Sequence, residues 1–320
     1  MTFGLTRVEL PDGDPTRKAF GVTLTELGEE DERIVVVDGD LNNSTYTQKF
    51  MEKHPDRFFN VGIAESNLVG VAAGLAGCGK IPVAASFACF LLCNAFDQIR
   101  MSIAFPNQNV KLCGTHAGIS IGDDGPSQMG IEDVALACAL PGFTVVVPAD
   151  APSTEAATKA LVYREGPCYL RAGRPPVPVV YQNGADFHVG KANQLRDGDD
   201  VTIIANGIMV AMALDAAVGL EEKGVSARVL DMHTVKPIDR EAIEKAANQT
   251  RGIVVAEEHL AYGGLGATVS MVVGERRPSR MAFVNLGDTY ATSGKPDELL
   301  AQYGLTPDAI LDAALRVLKE

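Results

Sequence analysis

No apolar run in the 320-residue chain approaches the roughly 18–20 residues needed to cross a bilayer. The first residues, Met1-Thr2-Phe3-Gly4, lack the basic-then-apolar pattern of a secretion signal. Positive charge is also short: 28 Lys and Arg face 41 Asp and Glu, a formal net charge of −13 that repels nucleic-acid phosphates and anionic headgroups. No nucleic-acid or membrane partner is therefore expected, and the expected location is cytoplasmic. The six cysteines (Cys78, Cys89, Cys93, Cys113, Cys138 and Cys168) form no CxxC pair and have no cluster of nearby histidines. They read as reduced core residues, and no metal site is expected from this chain's own residues. Low-complexity tracts and repeats of solenoid period are missing too, so little disorder is expected beyond the first dozen residues.

What is there is the composition of an ordinary globular protein, 46% hydrophobic and 22% charged, at a length that accommodates two domains. Short apolar runs alternate with helical patterns. Arg33-Ile34-Val35-Val36-Val37-Asp38, Phe58-Phe59-Asn60-Val61, Ile81-Pro82-Val83-Ala84-Ala85-Ser86, Val110-Lys111-Leu112-Cys113, Phe143-Thr144-Val145-Val146-Val147-Pro148 and Tyr169-Leu170-Arg171 read as strands. A weak helix is expected around 46–51, and clearer ones over 65–76, 89–103 and 153–163; the helix over 89–103 is apolar on most sides. Prolines at Gly173-Arg174-Pro175-Pro176-Val177-Pro178 open a linker to about Leu195. A second alternation comes after it, with strands at 201–205, 227–230 and 252–256 and helices over 211–223 and 240–247. The fold class is α/β: two domains, about 1–185 and 186–320, each a mostly parallel sheet flanked by helices. Ligands in such sheets sit at the carboxyl ends of the strands.

Polar residues concentrate at those ends. Asp38-Gly39-Asp40-Leu41-Asn42-Asn43-Ser44-Thr45 comes after the first strand and alone reads as a turn and cap. Gly62-Ile63-Ala64-Glu65-Ser66-Asn67 opens a helix with an acid among small apolar residues, surroundings that would favour a protonated carboxyl able to donate a hydrogen bond. Phe87 and Phe90 come after the third strand and would be plain core aromatics in isolation. The stretch from Gly114 to Gln128 is long, glycine-rich and polar, with one histidine and two acids, as functional loops are. Arg171 and Arg174 close the last strand as a candidate phosphate clamp.

Together with Thr16-Arg17-Lys18, Ala95-Phe96-Asp97-Gln98-Ile99-Arg100-Met101, Gly122-Asp123-Asp124-Gly125-Pro126-Ser127-Gln128-Met129 and Ser293-Gly294-Lys295-Pro296, these runs resemble the C-terminal half of transketolases, closest to the animal-type branch. The resemblance extends from about Thr16 to the end. It implies that Glu65 meets N1′ of the aminopyrimidine of thiamine diphosphate, that Phe87 and Phe90 pack on that ring, and that Asp40 lies near it. It further implies that Arg17, Ser44 and Arg174 hold a sugar phosphate, that Asp124 contacts a hydroxyl of the acceptor aldose, and that His116 serves the hydroxyls near the reacting carbon. Gln128 stands where microbial and plant transketolases carry histidine, and its amide cannot titrate.

Transketolases also possess a Gly-Asp-Gly motif and, beyond it, an asparagine, which together bind the diphosphate and a divalent ion, Mg²⁺ or Ca²⁺. Asp38-Gly39-Asp40, Gly13-Asp14-Pro15 and Gly198-Asp199-Asp200 do not match it. The resemblance therefore implies a split enzyme, a heterotetramer in which two copies of this chain pair across a two-fold with two copies of an N-terminal diphosphate-binding subunit. The implied reaction is two-carbon ketol transfer between sugar phosphates, a step of the pentose phosphate type. Alternatives are half of a deoxyxylulose-phosphate synthase, the β subunit of a 2-oxoacid dehydrogenase, or a scaffold subunit without activity. The glycines after Val255-Ala256-Glu257-Glu258-His259 lack a GxGxxG pattern, so no chemistry is expected of the second domain.

Overall fold

The computed structural model describes residues 3–182 and 184–319. Six strands of the first sheet come in chain order: β1 (Ile34–Asp38), β2 (Phe58–Asn60), β3 (Ile81–Phe87), β4 (Lys111–Thr115), β5 (Thr144–Val146) and β6 (Cys168–Arg171). Six more come after them: β7 (Asn193–Arg196), β8 (Val201–Ala205), β9 (Ala227–Asp231), β10 (Thr234–Lys236), β11 (Ile253–Ala256) and β12 (Met281–Val284). The first sheet has the order β10-β5-β6-β4-β3-β1-β2, parallel except for β10, and the second the order β12-β11-β8-β9-β7, parallel except for β7. β1, β3 and β4 are buried along their whole length, which is why β1 and β3 read as largely apolar runs.

On one face of the first sheet the helices Thr16–Glu30 and Ala151–Val162 enclose a core of Phe20, Leu24, Val36, Val83 and Leu161. The second of these begins sharply because Asp150 accepts the backbone N–H of Ser153 in a capping box. On the other face, Leu68, Leu92, Ile99 and Leu112 form a core that runs without a break into Val255 of the second sheet and Leu265 and Val269 of the helix Leu265–Arg276 packed on it. The two sheets therefore share apolar contact, and β10 extends from the second half of the chain to pair antiparallel with β5.

Three sequence expectations change. The single helix over 89–103 is divided into a π turn at Phe90–Asn94, a short helix at Phe96–Gln98 and a second π turn at Ile99–Ala104. The stretch read as a linker holds β7 and Pro176–Pro178, the latter pairing antiparallel with Asp12–Pro15. The cysteines are all free thiols, but Cys78 and Cys93 are exposed and Cys138 is half-buried, so only Cys89, Cys113 and Cys168 are core residues.

The described residues from Phe3 onward make defined contacts as well. Phe3 is buried, and the N–H groups of Thr6, Arg7 and Val8 all donate to Oδ1 of Asp215, at 2.9, 2.6 and 3.0 Å, while Arg7 Nη1 pairs with its Oδ2 at 2.9 Å. Among the described residues no helix is long and apolar enough to cross a membrane.

Candidate active site

Glu65 is the first residue of the helix Glu65–Gly77 and is only 4% exposed. Its small apolar neighbours leave room for the carboxyl to turn inward toward β3. There Oε1 accepts a hydrogen bond from Ser86 Oγ at 3.0 Å, and Oε2 accepts one from Asn94 Nδ2 at 3.3 Å. Neither partner is apparent from sequence spacing: Ser86 ends an apolar strand, and Asn94 lies within what reads as an ordinary helix.

A line of polar contacts leads from this acid across the ends of β3 and β4. The carbonyl of Ser86 accepts from Thr115 Oγ1 at 3.4 Å, and Thr115 Oγ1 lies 2.9 Å from Nδ1 of His116. Nε2 of His116 is 3.2 Å from Nη1 of Arg17. A guanidinium only donates, so Nε2 must be the accepting nitrogen; by these partners the proton is assigned to Nδ1, which donates to Thr115. Burial, reinforced by the charges of Arg17 and Arg174, lowers the pKa of His116 to about 3, so the ring is a neutral hydrogen-bonding group at ordinary pH. Its backbone occupies the left-handed region at φ 57°, a position that is costly for a side-chain-bearing residue and common at functional sites. The ring also stacks on Phe87 at 3.8 Å between centroids, and Phe87 stacks on Phe90 at 5.5 Å.

Arg17 brings the next group together. Its Nη1 donates to the carbonyl of Ser44 at 2.7 Å and its Nε to that of Arg174 at 3.2 Å, and its guanidinium lies over Tyr46. Burial lowers its pKa, opposed by the nearby Tyr46 and Asp124. Arg174 Nη1 donates to the carbonyl of Ile121 at 2.6 Å and stands 3.7 Å from Asp124 Oδ2. Arg17, Ile121 and Arg174 form one wall of a cleft of about 600 Å³, and Lys295, Pro296 and Glu298 of the second domain form another. A smaller depression of about 380 Å³ lies beside Phe90, Cys93, Asn94, Ser127, Met129 and Glu132. Gln128 ends the turn Pro126–Gln128 at its edge.

The second domain holds the His116 loop in place. Glu258 Oε1 accepts the N–H of Ser120 at 2.6 Å, and Ser293 Oγ donates to the carbonyl of Asp123. Gly118 and Gly122 permit this approach: a Cβ on Gly118 would lie 2.1 Å from the Glu258 carboxyl carbon, and one on Gly122 would lie 2.9 Å from Pro296. Both have positive φ as well.

Glu65, Phe87, Phe90, His116, Arg17, Ser44, Arg174 and Asp124 are thus linked through contacts, although Ser44 contributes its carbonyl rather than its hydroxyl to Arg17. Asp40 is exposed at φ 65° and accepts from Asn60 Nδ2 at 2.8 Å, making none of the contacts of that line itself, although its neighbour Gly39 lies against Glu65 and Ser86. Arg171 is not part of a phosphate clamp. It is buried, with Nε donating to Asp133 at 2.8 Å and Nη2 donating to the carbonyls of Gly130 and Glu258. Among the described residues no group of three or more His, Cys, Asp or Glu is placed to hold a metal ion.

Comparison with known proteins places this geometry. Residues 14–179 match the family model for the pyrimidine binding domain of transketolase, and residues 190–310 that for the transketolase C-terminal domain. The chain is 43% identical over 305 residues to the transketolase of Mus musculus, covering 93% of this chain but 48% of that one, so it spans about half of the mouse protein's length. It is 40% identical over 305 residues to one subunit of the apulose-4-phosphate transketolase of Phocaeicola vulgatus, covering 95% of this chain and 97% of that one. A solved structure described as a split gene transketolase, inactive beta4 tetramer, superposes with a TM-score of 0.88 at 46% identity, over 96% of this chain and 99% of that one.

Proposed function

The chain belongs to the transketolase family, and we propose that it is the pyrimidine-side subunit of a split enzyme that moves a two-carbon ketol unit from a ketose phosphate to an aldose phosphate. The family depends on thiamine diphosphate. The residues present fit the ring end of that cofactor: a buried carboxyl at a helix start, a stacked aromatic pair and a depression of about 380 Å³ beside Phe90. When bound, the cofactor supplies the nucleophilic carbon to which the ketol unit attaches. Glu65 meets the ring nitrogen of the aminopyrimidine and holds a proton there, and Phe90 packs flat against the heterocycle. Asp40 is assigned to the same ring's surroundings.

The substrate occupies the larger cleft. Arg17 and Arg174 provide charge-assisted donors for the phosphate, a dianion whose shape suits a guanidinium. His116, neutral, donates from Nδ1 to Thr115 and accepts Arg17 Nη1 on Nε2, and we assign its place beside Arg17 to the end of the cleft that receives the hydroxyls near the reacting carbon. Asp124 and Gln128 bind hydroxyls of the acceptor, and Ser44 lines the phosphate end. The diphosphate and its Mg²⁺ or Ca²⁺ belong to a partner subunit, a reading supported by the near-complete coverage of the Phocaeicola vulgatus relative, itself named as a subunit.

The observation that carries this reading is the unbroken line Glu65–Ser86–Thr115–His116–Arg17, which connects the acid at the ring to the cation at the phosphate. The test is reconstitution: this chain and the candidate partner, with thiamine diphosphate and Mg²⁺, are given either a ketose phosphate plus an aldose phosphate or pyruvate plus an aldose phosphate. Ketol transfer only with the ketose is the expected result. Turnover of pyruvate instead, or full activity of this chain alone, would overturn the assignment.

A further inference from the structure

Asn94 has no role in the chemistry described above, yet it makes one of the two hydrogen bonds that hold Glu65. It is the last residue of the π turn Phe90–Asn94, and such turns insert an extra residue into a helix and so rotate the residues beyond them. Here the rotation directs an exposed amide onto a buried acid, and the same residue lines the depression beside Phe90. The helix bearing Glu65 is tied to the neighbouring segment a second time, where Ser66 Oγ meets Gln98 Oε1 at 3.0 Å.

We propose that Asn94 is a positioning residue for Glu65, fixing Oε2 at the lip of the groove so that the acid meets the aminopyrimidine nitrogen without reorienting. A carboxyl held only through Ser86 Oγ on Oε1 could still turn about its terminal torsion, which is broad and roughly two-fold. With Asn94 on Oε2 the plane of the group is set, and the proton it exchanges with the ring has one direction to travel. Preorganisation of this kind acts on cofactor binding and turnover and leaves the sugar phosphate contacts alone. The proposal rests on the thiamine diphosphate reading above.

The test uses the complex assembled with the partner subunit and thiamine diphosphate as probe, with calorimetry for the cofactor Kd and steady-state kinetics for kcat and the KM of the ketose phosphate. Asn94→Ala removes the donor, and Asn94→Asp keeps the shape while setting a second carboxylate against Glu65. Alanine is expected to weaken cofactor binding and kcat by about tenfold each, the scale of one buried hydrogen bond, and aspartate by more, with the KM within about twofold of wild type. If the wild-type complex bound no thiamine diphosphate, the functional reading would fall and this inference with it. If wild type bound it and both variants bound it equally well, or if the variants lowered only the melting temperature, the inference alone would be overturned. Should aspartate prevent assembly, the alanine variant's Kd decides.

Discussion

The two sheets share an architecture and place acids and histidines at the same ends of their strands, yet they use those residues in opposite ways. In the second sheet such groups are mostly consumed internally. Asp231 accepts from the Tyr181 hydroxyl at 2.6 Å, and Glu257 receives the N–H groups of Leu265 and Gly266 at the start of a helix, both at 2.7 Å. Glu258 receives Ser120, and His259 Nδ1 lies 2.9 Å from the carbonyl of Leu260. In the first sheet Asp38, bound by Thr45, Thr47 and the N–H of Leu41, and Asp150, bound by the N–H groups of Ser153, Val180 and Tyr181, are treated that way. Arg17 and Arg174 are anchored on one side and line a cleft on the other, while Glu65 and His116 are buried and joined to them through the line of contacts. Polar residues at strand ends therefore do not by themselves identify a site; an anchored group that also borders open space does.

The contrast can be broken most forcefully at Glu65. Glu65→Gln keeps the shape and one accepting oxygen, but its NH2 cannot accept from Asn94 Nδ2 and it has no acid proton, so turnover of the assembled complex should fall by about 10²–10⁴ with little change in melting temperature. Wild-type turnover would reduce the first sheet's polar ends to the structural status of the second's. Arg174→Ala comes next, lowering kcat/KM for phosphorylated substrates about 10- to 100-fold, with unphosphorylated analogues as the control that should not move.

The second sheet has its own signature, in pH rather than in rate. Burial raises Asp231 to about 7, well above the ordinary carboxylate value near 4, so the folded chain holds a proton that the unfolded chain releases. Its contribution to stability is complete below about pH 4 and is lost as the pH climbs through about 7. Asp231→Asn should flatten the fall in unfolding free energy across that window by about 1 kcal/mol or more, measured by urea titration at each pH, without affecting the KM. The smallest effect belongs to Lys295, which is 77% exposed at its side chain and 3.7 Å from Glu298. Lys295→Ala should raise the KM for sugar phosphates by no more than about fivefold, as surface ion contacts do, and the rise should disappear in high salt.

Much of the arrangement was legible in the sequence because burial on both faces writes itself as apolar runs. Ile34–Asp38 and Ile81–Phe87 are unmistakable, and the polar stretches after them mark the active end of the sheet. Short edge strands were not legible: Thr234–Lys236 and Asn193–Arg196 carry three and four residues with no period to detect, and tertiary pairing alone makes them strands. Arg171 and Arg174 look alike in sequence, and only the buried Asp133 beside the first separates a core ion pair from a cation at a cleft. Ser86, Thr115 and Asn94 escaped for another reason. Their contacts span 29 residues or fewer in sequence but cross separate elements, and in Asn94's case depend on a π turn that no apolar period announces.

The route of the backbone has a mechanical consequence. The chain is pinned to the second domain at Thr6–Val8, enters the first at Asp12–Pro15, leaves it through 173–192 and returns a strand at Thr234–Lys236. These crossings, over a common apolar seam, tie together the two walls of the cleft formed by Arg174 and Lys295 and oppose a clamshell opening between them. If the proposed sugar phosphate binds there, the side chains lining the cleft rather than a backbone hinge would set which sugars fit.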